Sequence, residues 1–489
     1  MSEQLIHIEF EAGRTLRDQV RAHLVSMILA GKIATDVALP SSRRMAEMLG
    51  VSRNTIMQIY EDLVDMEYLV SKPRLGYFVN TAFHEQEAML SPVSASDGQE
   101  LDWSTRFKTH PGNKRNIIKP SNWANFTYPF IYGQIATDLF PERSWRECGQ
   151  KAMSQHSGKH WAFDWIDGDD PLLLEQLRSN ILPRRGIYAE ASEILVTIGT
   201  QNSLYMIANL LADKNTRVGL ENPGFPDVKN IFSTFNAQLS FFDVDQDGLI
   251  LNEESEAELA RLDYLYLTPS HQVPTGAVMS SERRKRLMHL AELHDVVIIE
   301  DDYDAEINLQ KEAQPALRAV DPQERVIYVG SMSKAIAPGV RLGFMVANEE
   351  LISEARALRR LMYRHVPVHN QRQLALFISQ GYFDSYLRKM RESYAHKLGL
   401  MEMAISRHLP QFKVLSHGSG ATSLWLEAPV AVDTEQLSWR AAKNSILIEP
   451  GAIHFAGDDP RKNYLRLGFA AITADKIEPG IAALGRLLD

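Results

Sequence analysis

The sequence carries a single cysteine, Cys148, so no disulfide can form within the chain and a reducing compartment is expected. It has no apolar run near the roughly 18 residues that a membrane helix needs. Its opening, MSEQLIHIEF, is acidic and lacks an apolar core, which argues against a signal peptide. There is no surplus of positive charge: the net charge is −10, so any nucleic-acid surface has to be local. Internal repeats are absent, and low-complexity sequence is confined to one stretch, residues 81–120. These absences point to a cytoplasmic protein. What is present is a hydrophobic content of 45% spread over 489 residues, enough for a large core and more than one domain.

The patterning changes along the chain. Residues 10–80 are densely helical in pattern and rich in arginine. Residues 81–120 have weak periodicity and Ser/Pro/Asp/Gly content, and read as a partly extended linker. From 121 to 489, apolar runs such as EILVTIG, TRVGLE, LDYLYLT, DVVIIED and RVIYVG alternate with helical segments. That alternation predicts an α/β fold built on a mostly parallel sheet covered on both faces.

In the first segment, Leu16, Val20, Leu24, Met27 and Ile28 share one face of a predicted helix that Gly31 closes. Ser41 or Ser42 can cap a short second helix containing Met45, Ala46 and Leu49, and Gly50 makes a turn. Ser52 caps a third helix with Ile56, Ile59, Tyr60 and Leu63 inward. Ser52, Arg53, Asn54 and Thr55 then face outward, with groups able to meet phosphates and base edges. YLVSKPRLGYFV follows as a two-stranded wing with Lys72 and Arg74 near its tip and Gly76 giving a permissive backbone. The run from Leu39 to Thr55, LPSSRRMAEMLGVSRNT, resembles the winged helix-turn-helix of the GntR family of repressors. The resemblance implies double-stranded DNA as a partner. It also implies contacts from Arg43, Arg44, Ser52, Arg53, Asn54 and Thr55, with Lys72 or Arg74 from the wing.

The second segment poses a question at SMSKAIAPGVRLGF, where Lys334 stands just past an apolar strand. A lysine that bonds a cofactor aldehyde needs a cleft, a phosphate cup, a carboxylate for a ring nitrogen, a stacking partner and a donor to a phenolic oxygen. The Gly199-Thr200 turn before a helix offers backbone amides for the phosphate, and Ser331, Ser333 and Arg341 can converge on it from the lysine loop. Asp301 ends a buried strand where an unpaired charge is costly, and Tyr303 can donate to the phenolic oxygen. Phe225, on the Pro/Gly turn of ENPGFPDV, can stack.

These groups stand at successive strand ends in the order Gly199-Thr200, Phe225, TPSHQVPTG, Asp301/Tyr303 and Lys334/Arg341. In that order the second segment resembles the fold-type I aminotransferases. The resemblance implies pyridoxal 5′-phosphate as cofactor and Lys334 as its Schiff-base partner. It departs at Val273, where those enzymes usually have an asparagine that His271 or Gln272 would have to replace. NYLRLGFA puts Arg466 where the superfamily holds a substrate carboxylate, a pairing suited to a bidentate guanidinium.

Both segments together resemble the MocR/GabR-type regulators, through TPSHQVPTG, IEDDYDAE and SKAIAPGVRLGF. This implies a homodimer, with the head of one chain against the body of the other. The chain is then a transcription regulator sensing an amine, an amino acid or pyridoxal phosphate itself through an internal aldimine at Lys334. Two other readings are a competent aminotransferase with an accessory DNA-binding head, and a DNA-binding protein whose body only dimerises. The head and Val273 favour the regulator.

Overall fold

The computed structural model describes residues 8, 10, 13–82, 101–154, 161–309, 314–416, 422–457 and 461–488. It divides into two units, residues 1–107 and 108–489. Residues 83–100 of the predicted linker lie outside the described residues.

The first unit contains α1 (Leu16–Leu29), α2 (Ser42–Leu49) and α3 (Arg53–Asp65), then a hairpin of β1 (Leu69–Lys72) and β2 (Gly76–Val79). Helix α1 buries Val20, Leu24, Met27 and Ile28. Leu16 was expected with them but is 48% exposed. Periodicity puts it on the apolar face, yet its place in the first turn leaves it past the edge of the packed core. Asp62 on α3 accepts from Arg17 at 2.8 Å and from Arg21 at 3.3 Å, so two arginines of this unit tie α1 to α3. Between the alternatives for capping α2, the side chain of Ser41 accepts from the Arg44 amide. Gly50 follows in the left-handed region at φ 65°, and Ser52 caps α3.

In the second unit eight strands form one sheet. They are β3 (Ile194–Thr197), β4 (Arg217–Asn222), β5 (Gln238–Asp245), β6 (Gly248–Leu249), β7 (Tyr264–Leu267), β8 (Val297–Asp302), β9 (Val326–Ser331) and β10 (Gly343–Val346). The order is β3-β10-β9-β8-β7-β4-β5-β6. All neighbours are parallel except those of β10 and the β5–β6 hairpin. Strands β3, β4, β7, β8 and β9 therefore present their carboxyl ends at one edge. Alternate side chains of β3 enter different cores: Leu195 packs with Met206 and Ile207, and Ile194 and Val196 with Leu177 and Leu374. A smaller antiparallel sheet joins β11 (Lys413–Val414), β12 (Ser423–Glu427), β13 (Glu449–Pro450) and β14 (Tyr464–Gly468) in the order β11-β12-β14-β13.

One buried ion cluster fixes β3. Asp169 accepts from Arg359 at 2.6 Å and from Arg356 at 2.9 Å, both on α6 (Glu349–Tyr363), counted after α4 (Thr200–Leu211) and α5 (Pro226–Thr234). Arg359 also donates to the carbonyl of Val196 at 2.7 Å. Residues 108–120, inside the predicted linker, group with this second unit. Lys114 donates to Ser233 Oγ and Asn230 to the Arg115 carbonyl, each at 2.8 Å. No described helix is long and apolar enough to cross a membrane.

Candidate functional site

At the common carboxyl edge of the strands lies a cavity of about 480 Å³. Its wall includes Gly199, Thr200, Phe225, Asp301, Tyr303, Ser331, Ser333, Lys334, Arg341 and Arg466, so the residues expected to hold the cofactor and an effector carboxylate line one space.

On one side is an anion cup. Strand β3 ends at Thr197, Gly199 turns at φ 109°, and α4 starts at Thr200. A Cβ on Gly199 would stand 3.2 Å from Arg341 Nη2, so glycine here lets the guanidinium close on the helix start. Ser331 Oγ accepts from the Ser333 amide at 3.2 Å, and Ser333 Oγ is buried without a partner among the described residues.

Across the cavity, Asp301 Oδ2 accepts from the Tyr266 hydroxyl at 2.9 Å, and its Oδ1 is buried with no partner among the described residues. Burial pushes this carboxyl up to about 7 against the pull of Tyr266. Phe225 caps α5 and lines the wall beside Val273. The Tyr303 hydroxyl donates to the His271 carbonyl at 2.9 Å. His271 and Gln272, the candidates to replace an asparagine at Val273, are engaged elsewhere. His271 Nδ1 pairs with Asp304 at 2.7 Å, Gln272 Nε2 donates to the Pro223 carbonyl at 2.8 Å, and neither lines the cavity.

The Lys334 amine lies 4.3 Å from the centre of the Tyr132 ring, and the Arg466 guanidinium 3.9 Å from the same ring. Burial, then the charges of Lys119 and Arg466, bring the Lys334 amine down to about 7. Arg466 is not free: its Nε donates to Glu449 Oε1 at 2.7 Å, and its Nη2 also pairs with that oxygen. Burial raises Glu449, but Arg466, His454 and Lys119 together outweigh it and hold the carboxyl at about 2.

Sequence reasoning did not name Lys119, Tyr132, Asp227, Tyr266 or Glu449, of which the first four line the cavity. Tyr266 had a signal, since a tyrosine inside an apolar strand that runs into TPS has to find a partner for its hydroxyl. Lys119 had none, for it sits in an aperiodic stretch.

In the first unit Arg43, Arg44, Ser52, Arg53, Asn54, Lys72 and Arg74 are exposed, and Thr55 is half-buried. Ser52 Oγ accepts from the Thr55 amide at 3.1 Å and lies 2.8 Å from Thr55 Oγ1, so both hydroxyls also serve the cap. Arg43 pairs with Glu47 at 3.5 Å, and Lys72 stands 4.5 Å over the Phe78 ring. Arg74 occupies the left-handed region, φ 66°, at the hairpin turn.

Residues 16–79 match the model of the bacterial regulatory proteins of the gntR family, and residues 169–484 that of the class I and II aminotransferases. The chain is 38% identical to the HTH-type transcriptional regulator TauR of Rhodobacter capsulatus, over 97% of this chain and 96% of that one. It is 29% identical to the probable rhizopine catabolism regulatory protein MocR of Rhizobium meliloti, over 98% and 95%. Its body is similar to the crystal structure of an α-aminoadipate aminotransferase of Thermus thermophilus complexed with N-(5′-phosphopyridoxyl)-L-leucine. That match has a TM-score of 0.70 at 26% identity, covering 79% of this chain and 98% of that one.

Proposed function

The chain belongs to the MocR-type regulators, in which a gntR-family helix-turn-helix is joined to a class I and II aminotransferase body, and on that premise we propose how its residues divide the work. It is a pyridoxal phosphate-dependent DNA-binding transcriptional regulator. Lys334 bonds the aldehyde of the cofactor. Gly199, Thr200, Ser331, Ser333 and Arg341 hold its phosphate, Asp301 takes the ring nitrogen, Phe225 stacks on the ring, and Tyr303 is the candidate donor to its phenolic oxygen. When bound, the cofactor supplies an aldehyde that primary amines can capture and a ring that withdraws electrons. The observation that carries this reading is the pair of buried oxygens without a partner among the described residues, Asp301 Oδ1 and Ser333 Oγ, on residues that line the same cavity as Lys334. A ring N–H and a phosphate are the partners such atoms require.

The body senses an amine, an amino acid or the cofactor itself, and Arg466 is its candidate contact for an effector carboxylate. Val273 places an apolar side chain where the related enzymes use a hydrogen-bonding one, which favours sensing over turnover. The functional unit is a homodimer. Titrating the purified chain with amines and pyridoxal phosphate, while following visible absorbance and binding to its own upstream DNA, tests the reading. Absorbance changes with no change in DNA affinity would favour the aminotransferase instead.

The amine of Lys334, held at about 7, is neutral and nucleophilic from about pH 7 upward. Capture of added pyridoxal phosphate should therefore accelerate through about pH 7 and level off by about pH 8. Stopped-flow absorbance checks this; a rate still climbing at about pH 10 would assign the amine an ordinary basicity.

For the head, Arg53 at the exposed start of α3 is the proposed base contact. Arg53→Ala should weaken operator binding by about 1–3 kcal/mol, with steep salt dependence retained from the phosphate contacts. Unchanged affinity at moderate salt, measured by fluorescence anisotropy, would move the DNA surface elsewhere.

A further inference from the structure

Beside the cavity, the small sheet is stitched to the loop that carries Phe225. The turn Gly451–His454 follows β13 directly, and the His454 side chain has no exposed surface. The Gly224 amide donates to the His454 carbonyl at 2.8 Å, and the Ala456 amide to Asn222 Oδ1 at 3.0 Å. A third tie comes from the imidazole, whose Nδ1 lies 3.0 Å from the Gly224 carbonyl oxygen. Its other nitrogen, Nε2, lies 3.2 Å from Glu449 Oε1, the oxygen that Arg466 Nε also meets. The ring stands edge-on to Trp425 of β12, with centres 5.6 Å apart and planes at 88°, which holds its orientation. A Cβ on Gly224 would run into the Glu221 carbonyl, so the loop is tightly folded where it presents its own carbonyl to His454.

Both partners of this imidazole are acceptors. A peptide carbonyl has no proton to give, and neither has Glu449, whose carboxyl is held at about 2. A neutral ring carries one N–H, so it serves one partner and turns a lone pair on the other. Only a ring with both protons serves both. The single proton of the neutral ring belongs on Nε2, because a lone pair against a carboxylate costs more than one against a carbonyl. The bond to Gly224 is therefore the one that waits for a second proton. The charged and titratable groups about the ring are Glu449 and Arg466, with Glu221, Tyr266 and Lys229 on a void of about 10 Å³ that His454 also lines. Burial foremost, with Arg466, outweighs the pull of Glu449 and of the Gly224 carbonyl and brings the imidazole below its ordinary value.

We propose that His454 is a positioning residue that joins the Glu449–Arg466 pair to the Phe225 loop, through a bridge that a second ring proton completes. The assignment rests on the stacking role given to Phe225 above and names the residue that seats it. It acts through the Gly224 carbonyl and touches neither the cofactor nor Lys334.

The test uses the full-length chain, carrying 15N-labelled histidine, with and without pyridoxal phosphate. His454→Phe keeps an edge contact for Trp425 and has no donor; His454→Gln is the second variant. In the wild type, the ring resonances missing from both variants should show a neutral Nε2–H tautomer at about pH 7.5 and both protons at about pH 5. The visible circular dichroism of the bound cofactor should change along the same step. In the variants that step should vanish, the dichroism holding its wild-type high-pH form throughout while the absorbance of the Lys334 link remains. An Nδ1–H tautomer, a ring still neutral at about pH 5, or a dichroism step that survives both substitutions overturns the assignment. Dichroism lost equally at every pH makes His454 a structural contact only and overturns it too. A wild type with neither visible absorbance nor dichroism on adding pyridoxal phosphate overturns the cofactor reading itself, and this assignment with it.

Discussion

Replacing Lys334 by alanine is expected to abolish any borohydride-reducible link between the chain and pyridoxal phosphate, and with it every amine-dependent change in DNA affinity. The reason is geometric. Among the described residues two amines line the cavity, and Lys119 spends one hydrogen on the Tyr132 carbonyl while Lys334 stands over the ring of Tyr132, on the loop that also carries Ser331, Ser333 and Arg341. The anion cup and Asp301 remain in Lys334→Ala, so the cofactor should still enter the cavity without a covalent bond. Mass spectrometry of the reduced, digested protein gives the answer directly. A reduced adduct found on Lys119 in the variant, or retained amine sensing without any adduct, would break the link drawn between this lysine and regulation.

The second large effect concerns stability. Asp169→Ala should destabilise the body by about 3–5 kcal/mol, because it leaves two guanidiniums without their carboxylate in a site where Asp169 and Arg359 have no exposed side-chain surface. The damage is not confined to folding. Arg359 also holds the Val196 carbonyl of β3, and β3 runs directly into the Gly199 turn proposed to cup the phosphate. Cofactor affinity should drop along with the unfolding midpoint, while Asp169→Asn, which keeps the shape, should fall between. Urea denaturation followed by tryptophan fluorescence, with and without pyridoxal phosphate, separates the two effects. An Asp169→Ala body with a wild-type midpoint would mean the cluster adds no net stability.

Why some of this could be read from the chain and some could not follows from what periodicity encodes. Continuous apolar runs marked β3, β4, β7, β8 and β9, because a strand covered on both faces has no polar face to alternate with. In a parallel sheet the residues just past those runs must share an edge, which is how Gly199, Phe225, Asp301 and Lys334 could be grouped before any coordinates. Lys119 escaped because nothing in an aperiodic stretch says which surface it follows; its place is set by the contacts of Lys114 and Arg115 with α5. Glu449 escaped for a different reason. The pairing of β13 with β14 sets Glu449 opposite Arg466, and a two-residue strand leaves no periodic trace. Leu16 erred in the other sense, since periodicity assigns a face and says nothing of where along a helix the core ends.

The separate cores have a consequence for the order in which the protein is made. The head is complete once the chain has reached Val79, with Val20, Ile28, Ile56, Leu63 and Leu69 closed in one cluster of its own. The cavity, in contrast, draws on residues from Ile117 to Arg466 and is finished only when the last strand of the small sheet has left the ribosome. A growing chain, or one cut short by a premature stop before Arg466, thus has a closed head core and an unfinished cavity.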